Sequence, residues 1–143
     1  GGVERVAGGE RHDDAQGAIR RRGLGRGNQR QGGDQGQDDV AAMMAQFAQR
    51  RRVVVEGLNR IPGLACRMPG GAFYAFPNIR ATGFTAGQLA DRLLDEAGVV
   101  TLPGTGFGPE GEGYLRLSYA NSIEALEEGL RRIAEFLQVN ASV

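Results

Sequence analysis

The sequence predicts an α+β fold for residues 38–143, in which helices cover a small mixed or antiparallel sheet. Three observations support this prediction. Apolar residues recur with the helical period near both ends of the region. Short β-prone segments bounded by glycine and proline lie between those ends. A capping-box pattern marks a further helix in the middle. The expected order is helix, two strands, helix, strand, loop, strand, helix.

The first helix is predicted to run from about Asp38 to Ile61, because apolar residues there follow the i, i+3, i+4, i+7 rhythm. Asp38 or Asp39 can cap its start, and Pro62-Gly63 ends it. Methionine and phenylalanine residues at this spacing are ordinarily core residues. Two extended segments follow at 64–67 and 72–79, and the Pro-Gly-Gly turn between them predicts an antiparallel pair.

Thr85 begins the second predicted helix with a capping box, and Gly98 stands where a left-handed C-terminal residue is expected. A short apolar strand at 99–102, a glycine-rich loop at 103–113 and a strand at 114–120 come next. Asn121 or Ser122 can cap the last helix, whose apolar face ends at Leu137.

Residues 1–37 consist mostly of glycine, arginine, glutamine and aspartate, with few large apolar side chains. Such a segment cannot bury enough surface to offset its ordering entropy, so we expect it to be disordered. Its arginines could suggest an RNA-binding arm. Interleaved acids and the absence of aromatic residues for base stacking argue against that alternative.

The composition limits the possible functions. The formal net charge is zero, which predicts neither a nucleic-acid partner nor a membrane partner. One cysteine and one histidine cannot form a disulfide framework or a metal cluster, and together with the lack of a signal-peptide pattern they favour a cytoplasmic protein. All 17 basic residues are arginines, so no lysine is available for Schiff-base chemistry.

Several single residues and motifs could carry chemistry. The segment from Gly106 to Gly111 has G-x-G-x-x-G spacing, but Pro109 interrupts it and a strand follows, so a dinucleotide site is disfavoured. Cys66 and Ser118 lack a neighbouring base. Arg116 lies within a β-prone segment beside the glycine-rich loop. It is either a solvated strand residue or a bidentate carboxylate ligand.

Four segments together resemble the C-terminal portion of class I aminotransferases of the aspartate aminotransferase kind, in the order and at the approximate spacing of that family. They are RRRVVVEGLN at 50–59, PGGAFY at 69–74, LPGTGFG at 102–108 and GEGYLRLSYA at 111–120. Each segment alone is weak evidence. The resemblance covers about one hundred residues, and the predicted order of elements is that of the family's small, C-terminal domain.

The resemblance implies transfer of an amino group between an amino acid and a 2-oxo acid through pyridoxal 5'-phosphate, in an enzyme that is usually a homodimer. Arg116 matches the arginine that binds the substrate α-carboxylate. Segments that border the substrate cleft in the family correspond to Phe73, Tyr74, Gly104 and Phe107. No residue that binds the cofactor is identifiable, and no residue is assigned a catalytic role or a role as a metal ligand.

The departures from the family pattern predict that this chain is a fragment and is inactive alone, because the large domain with its Schiff-base lysine should precede residue 38. Residues 1–37 do not resemble the family. They are interpreted either as an out-of-frame translation, which translating the upstream DNA in all frames tests, or as a natural disordered tail. Two other interpretations stay open: a non-catalytic carboxylate-binding or interaction module, and an inactive truncated product prone to aggregation.

Overall fold

The computed structural model describes residues 29–140, with side chains from residue 34 onward. The chain forms two units, one that ends at Asp39 and one that begins at Val40. Residues 29–140 contain three α-helices and three short strands. They are α1 (Gln29–Arg60), β1 (Tyr74–Ala75), α2 (Ala86–Ala97), β2 (Leu102–Pro103), β3 (Leu115–Ser118) and α3 (Ile123–Asn140). The α+β fold class is therefore confirmed.

Helix α1 begins at Gln29, nine residues before the predicted start at Asp38. The predicted disorder therefore does not hold for residues 29–37, and residues 1–28 lie outside the described part of the chain. A helix is costly to nucleate but cheap to extend. The strongly periodic part of α1 can thus carry helical structure into a glycine-containing segment that would not start a helix itself. The predicted end is confirmed, because the helix ends at Arg60, just before Pro62-Gly63.

The three strands form an antiparallel sheet in the order β1-β3-β2. Tyr74 lies opposite Ser118 on one side of β3, and Leu102 lies opposite Arg116 on the other side. The last strand in sequence is therefore the central one. Strands β1 and β2 pair with the two opposite edges of β3.

The antiparallel pair predicted between 64–67 and 72–79 is reduced to a single bridge between Ala65 and Asn78. The next residue, Cys66, is bound by a side chain of α1. The Asn59 amide donates to the Cys66 carbonyl at 2.9 Å and accepts from the Cys66 N–H at 2.8 Å. The segment at 72–79 pairs with β3 instead.

The second helix has the predicted ends. The Thr85 hydroxyl accepts from the Gln88 N–H while the Gln88 side chain accepts from the Thr85 N–H, and Gly98 adopts the left-handed conformation. The Val99 N–H donates to the Leu93 carbonyl at 2.9 Å. The N–H of residue 99 is therefore bonded to the C-terminal turn of α2 and is not free for sheet pairing. In agreement with this, β2 begins at Leu102 rather than at the predicted residue 99.

The core lies between the sheet and the three helices. Leu58 of α1, Leu89 and Leu93 of α2, and Ile133 of α3 are almost completely buried against Leu115 of β3. The predicted cap of α3 is present, because the Ser122 hydroxyl accepts from the Ala125 N–H at 3.2 Å. Within residues 29–140, no helix offers an apolar run of the length that crossing a bilayer requires.

Candidate carboxylate-binding site

Arg116 projects from the central strand, and two aromatic rings lie against its guanidinium. The guanidinium carbon is 4.2 Å from the centroid of the Tyr74 ring and 4.3 Å from that of the Phe107 ring. Tyr74 belongs to β1, and Phe107 ends the turn that follows β2. The two rings are thus contributed by segments that adjoin opposite edges of β3. We call Tyr74, Phe107 and the guanidinium between them the aromatic bracket.

The polar edge of this guanidinium is free of protein partners. Arg116 makes no hydrogen bond or salt bridge with another residue in the described range. By contrast, Arg92, Arg131 and Arg132 on the helices are each paired with a glutamate. A guanidinium carries five N–H donors in a fixed fork and stays charged at any physiological pH. The site is therefore a half-buried cation whose donors are available to an external anion.

The turn that carries Phe107 is held by close backbone packing. Gly104 is buried, and its N–H donates to the Tyr114 carbonyl at 2.8 Å. A Cβ atom at Gly104 would collide with the carbonyl oxygen of Gly111, and one at Gly111 would collide with that of Gly104. Only glycine allows this approach. Gly104, which was predicted to border the substrate cleft, thus fixes the backbone of the turn that carries Phe107.

Glu112 fixes the far end of the same loop. Its side chain accepts from the N–H of Ala86, the first residue of α2, at 2.9 Å. Its backbone carbonyl accepts from the Arg80 guanidinium at 3.1 Å. A carboxylate at a helix N-terminus satisfies a free N–H and interacts favourably with the helix dipole. The loop is therefore attached to α2 shortly before β3 begins.

Tyr119 positions the segment that contributes Tyr74. Its hydroxyl donates to the Ala72 carbonyl, and its N–H donates to the Phe73 carbonyl at 2.9 Å. Ala72 is the one non-glycine residue with a positive φ (68°) in the described range. Tyr119 is buried, so these bonds fix the backbone immediately before β1.

The structure brings together some of the predicted site residues but not all. Tyr74 and Phe107 contact Arg116, whereas the Phe73 ring contacts Phe47 of α1, with centroids 4.7 Å apart. Phe76, which was not predicted, packs edge-on against Phe107 at a centroid distance of 6.2 Å. The i, i+2 spacing of Tyr74 and Phe76 in an extended segment was the signal that could have indicated it.

Among residues 34–140, no hydrogen bond joins Cys66 or Ser118, the two side chains rejected as nucleophiles, to a basic side chain. Cys66 is only 7% exposed, and burial raises the pKa of its thiol. Cys66 thus behaves as a small buried residue of the core. The Ser118 hydroxyl is exposed and accepts from the Ala120 N–H at 3.2 Å. As predicted, the segment from Gly106 to Gly111 leads into a strand, β3, and not into the α-helix that a dinucleotide motif requires.

The site does not contain the groups needed to hold pyridoxal phosphate covalently. The sequence has no lysine, so no side chain of this chain can form a Schiff base with it. The Tyr74 and Phe107 rings against Arg116 do not supply that function either. The arrangement can bind and orient an anion.

A model of the family "Aminotransferase class I and II" matches residues 28–133. The chain belongs to this aminotransferase family. The match starts ten residues before the predicted boundary at residue 38, close to the observed start of α1. Residues 28–37 are thus part of the family match, although residues 1–37 were predicted not to resemble the family.

Three aminotransferases illustrate the similarity. The chain is 46% identical over 99 residues to an aspartate aminotransferase of Pyrococcus horikoshii, which covers 69% of this chain and 25% of the relative. The crystal structure of an aromatic aminotransferase from the same organism superposes with a TM-score of 0.71 at 42% identity, covering 74% of this chain and 28% of that one. Aspartate aminotransferase from Thermus thermophilus with maleate has a TM-score of 0.63 at 37% identity, covering 69% and 25%.

The chain thus spans about a quarter of the length of the aminotransferases it matches. Pyridoxal phosphate is the cofactor that membership in this family implies.

Proposed function

We propose that this chain is the part of a pyridoxal-phosphate-dependent aminotransferase that holds the α-carboxylate of the substrate, with Arg116 as the ligand. The observation that carries the proposal is the aromatic bracket: a charged guanidinium, fixed between two rings, without a protein partner in the described range. Amino acid and 2-oxo acid both carry the carboxylate. One arginine can therefore bind both substrates of an amino-group transfer.

The aromatic rings prepare Arg116 for this role. Cation–π contact with Tyr74 and Phe107 stabilises the charge without occupying the N–H donors. The rings also restrict the rotamers of a long side chain that would otherwise lose entropy on binding. Two parallel N–H···O bonds then fix the position of the substrate as well as its charge. Orientation of this kind is a main contribution of binding residues to catalysis.

The cofactor and the lysine that holds it are supplied from outside this chain. The cofactor supplies the electron sink when it is bound, and the sequence contains no lysine to hold it. We therefore propose that the chain is a fragment, that the parent enzyme is a homodimer, and that its substrates are an amino acid and a 2-oxo acid. The Thermus thermophilus relative with maleate, a dicarboxylate, supports carboxylate binding at this fold.

A chimaera tests the role of Arg116. Residues 28–133 would replace the corresponding segment of the Pyrococcus horikoshii aspartate aminotransferase, so that the host supplies the rest of the enzyme. We expect Arg116→Lys to lower kcat/KM for both aspartate and its 2-oxo acid partner by about 100-fold, because a lysine cannot form the bidentate pair.

Arg52→Lys is the matched control, because Arg52 is exposed on α1 and also lies within the exchanged segment. It should leave kcat/KM almost unchanged. Equal activities of the Arg116→Lys and Arg52→Lys chimaeras would overturn the proposed role.

A second candidate function is a non-catalytic carboxylate-binding module. The observation that favours it is that the bracket is complete within this one chain, whereas the Schiff-base lysine is missing from it. If this candidate is correct, the chain alone should bind amino acids, and the Arg116→Ala variant should not bind them. No assay should detect turnover.

A further inference from the structure

We propose that Tyr119 is a positioning residue of the Arg116 site and that it acts through a left-handed backbone at Ala72. In this arrangement the Tyr119 hydroxyl fixes the turn before β1, and that turn sets the Tyr74 ring against the guanidinium. The inference rests on the proposed function, because it concerns how the anion-binding arginine is prepared. The role is indirect, since Tyr74 makes the contact with Arg116.

Tyr119 and Arg116 lie on different faces of the chain that forms and follows β3. Side chains alternate between the two faces of an extended segment, so Arg116 is expected on one face and Leu115 and Tyr119 on the other. The burial agrees with this alternation. Leu115 is 2% exposed and Tyr119 is 1% exposed, whereas Arg116 is half-buried. Tyr119 therefore belongs to the core and influences Arg116 through other residues.

Two hydrogen bonds join Tyr119 to the turn that precedes β1. Its hydroxyl donates to the Ala72 carbonyl, and its N–H donates to the Phe73 carbonyl at 2.9 Å. Only the first bond depends on the side chain, so a Tyr119→Phe substitution removes it and keeps the second. The contribution of the hydroxyl can therefore be tested separately from that of the backbone pairing.

Ala72 has a conformation that needs such support. Its φ is 68°, in the left-handed region, where the Cβ atom is crowded by the backbone. Gly70 and Gly71 could adopt a positive φ without that cost, but neither does so in the described range. The penalty for one left-handed residue is similar in size to the net contribution of one hydrogen bond. The Tyr119 hydroxyl can thus offset the strain at Ala72, and strain of this kind is frequent at functional sites.

The turn leads directly to the ring that contacts the guanidinium. Tyr74 follows Ala72 by two positions, and its ring centroid lies 4.2 Å from the Arg116 guanidinium carbon. Strand β1 contains only Tyr74 and Ala75 and pairs with β3 at those two positions. So short a ladder gives little resistance when the preceding turn changes. A change of φ at Ala72 therefore shifts the start of β1 and, with it, the Tyr74 ring.

The test follows the arginine side-chain N–H signals of the full chain by NMR, with and without acetate at constant ionic strength. An Arg116→Lys variant assigns the Arg116 signals, and the exposed Arg52 provides an internal reference. Aromatic rings shift the resonances of nearby protons, so the Arg116 signals report the contact with Tyr74 even without acetate. The acetate titration then reports carboxylate binding at the same group.

Tyr119→Phe should move the Arg116 signals part of the way toward those of Arg52. It should also weaken acetate binding at Arg116 by about threefold or more, because the site is no longer preorganised. Adding Ala72→Gly to this variant should restore both properties, since glycine adopts a left-handed φ without help from the hydroxyl. A general loss of stability would not be rescued in this way, because glycine increases the conformational freedom of the unfolded chain.

Ala65→Gly is the matched control for this rescue. Ala65 is exposed like Ala72, but it is not among the residues with a positive φ in the described range. Glycine at that position therefore relieves no left-handed strain. Combined with Tyr119→Phe, it should restore neither the signals nor the affinity.

Ala72→Val provides a second test that leaves the core unchanged. Ala72 is exposed, and a β-branched residue is strongly disfavoured at a positive φ. This variant should reproduce the effects of Tyr119→Phe on the Arg116 signals and on acetate binding. It keeps the inference testable even if Tyr119→Phe does not fold.

The outcomes separate the inference from the proposed function. If acetate moves the Arg116 signals of the unsubstituted chain no more than those of Arg52, the proposed function fails and the inference fails with it. If acetate binds at Arg116 but Tyr119→Phe or Ala72→Val leaves the signals and the affinity unchanged, only the role of Tyr119 is overturned. The same holds if Ala72→Gly rescues Tyr119→Phe no better than Ala65→Gly does.

Discussion

At the residue scale, the position of the Arg116 side chain depends on neighbouring residues that carry no charge. The guanidinium would be a mobile surface group without the two rings, and Phe107 would not face it without the contact between Gly104 and Gly111. Arg116, Tyr74 and Phe107 could be predicted from the sequence through the family resemblance. Phe76 and the supporting role of Gly104 could not, because both depend on which backbone segments meet in space.

Gly104→Ala should destabilise the chain and Gly106→Ala should not. A Cβ at Gly104 would lie 2.8 Å from the Tyr114 carbonyl oxygen and nearer still to that of Gly111, whereas nothing lies within 4 Å of one at Gly106. We expect Gly104→Ala to cost about 1–3 kcal/mol of unfolding free energy, as overpacking commonly does. Urea unfolding measures the difference. Similar midpoints for the two variants would contradict the packing described here.

At the element scale, the helices follow local sequence signals more closely than the strands do. The ends of α2 are set by a capping box and a left-handed glycine that are visible in the sequence. The strands are shorter than predicted because their partners are chosen by tertiary contacts. The segment at 72–79 makes a single bridge with the preceding segment, between Ala65 and Asn78, and β1 pairs with β3 instead.

Helix α3 should become less stable in acid through Glu128. Hydrogen bonds from Arg131 and then Arg132 lower the pKa of Glu128 from 4.5 to about 2. A carboxyl group whose pKa is lower in the folded state contributes stability above its unfolded pKa and loses it as the pH falls through the folded value. We expect the unfolding temperature to fall between pH 4.5 and about 2, and Glu128→Gln to reduce this fall.

Glu127→Gln provides the control, because Glu127 is the neighbouring exposed carboxylate and has no salt bridge in the described range. Thermal unfolding followed by circular dichroism across this pH interval compares the three proteins. Since all these groups are exposed, the effect should be small and should shrink with added salt. A Glu127→Gln profile as flat as that of Glu128→Gln would argue against the Arg131 and Arg132 pairs as the cause.

At the scale of the whole molecule, the described residues form a buried hydrophobic core. It spans about a quarter of the length of the family members it matches. Several large apolar side chains remain exposed in the described range, among them Met43 and Met44 of α1 and Phe76 near the bracket. Isolated exposed residues are normal, but a group of them indicates a surface that other protein covers or that promotes aggregation.

The purified chain should show no transaminase turnover with any amino acid donor and added pyridoxal phosphate, because it contains no lysine. A coupled assay for the 2-oxo acid product, with the Pyrococcus horikoshii relative as positive control, tests this. Turnover above the rate of free pyridoxal phosphate that disappears in Arg116→Ala would refute the prediction.

The sequence by itself indicated the family, the ends of α2 and the C-terminal end of α1, and it shows that the chain contains no lysine. These features depend on residue types and short-range periodicity, which a single chain displays directly. The tertiary structure alone decided that β3 is central, that β1 pairs with β3, and that Tyr74 and Phe107 both contact Arg116. Residues far apart in sequence make those contacts, and local patterns carry no information about which of them will meet.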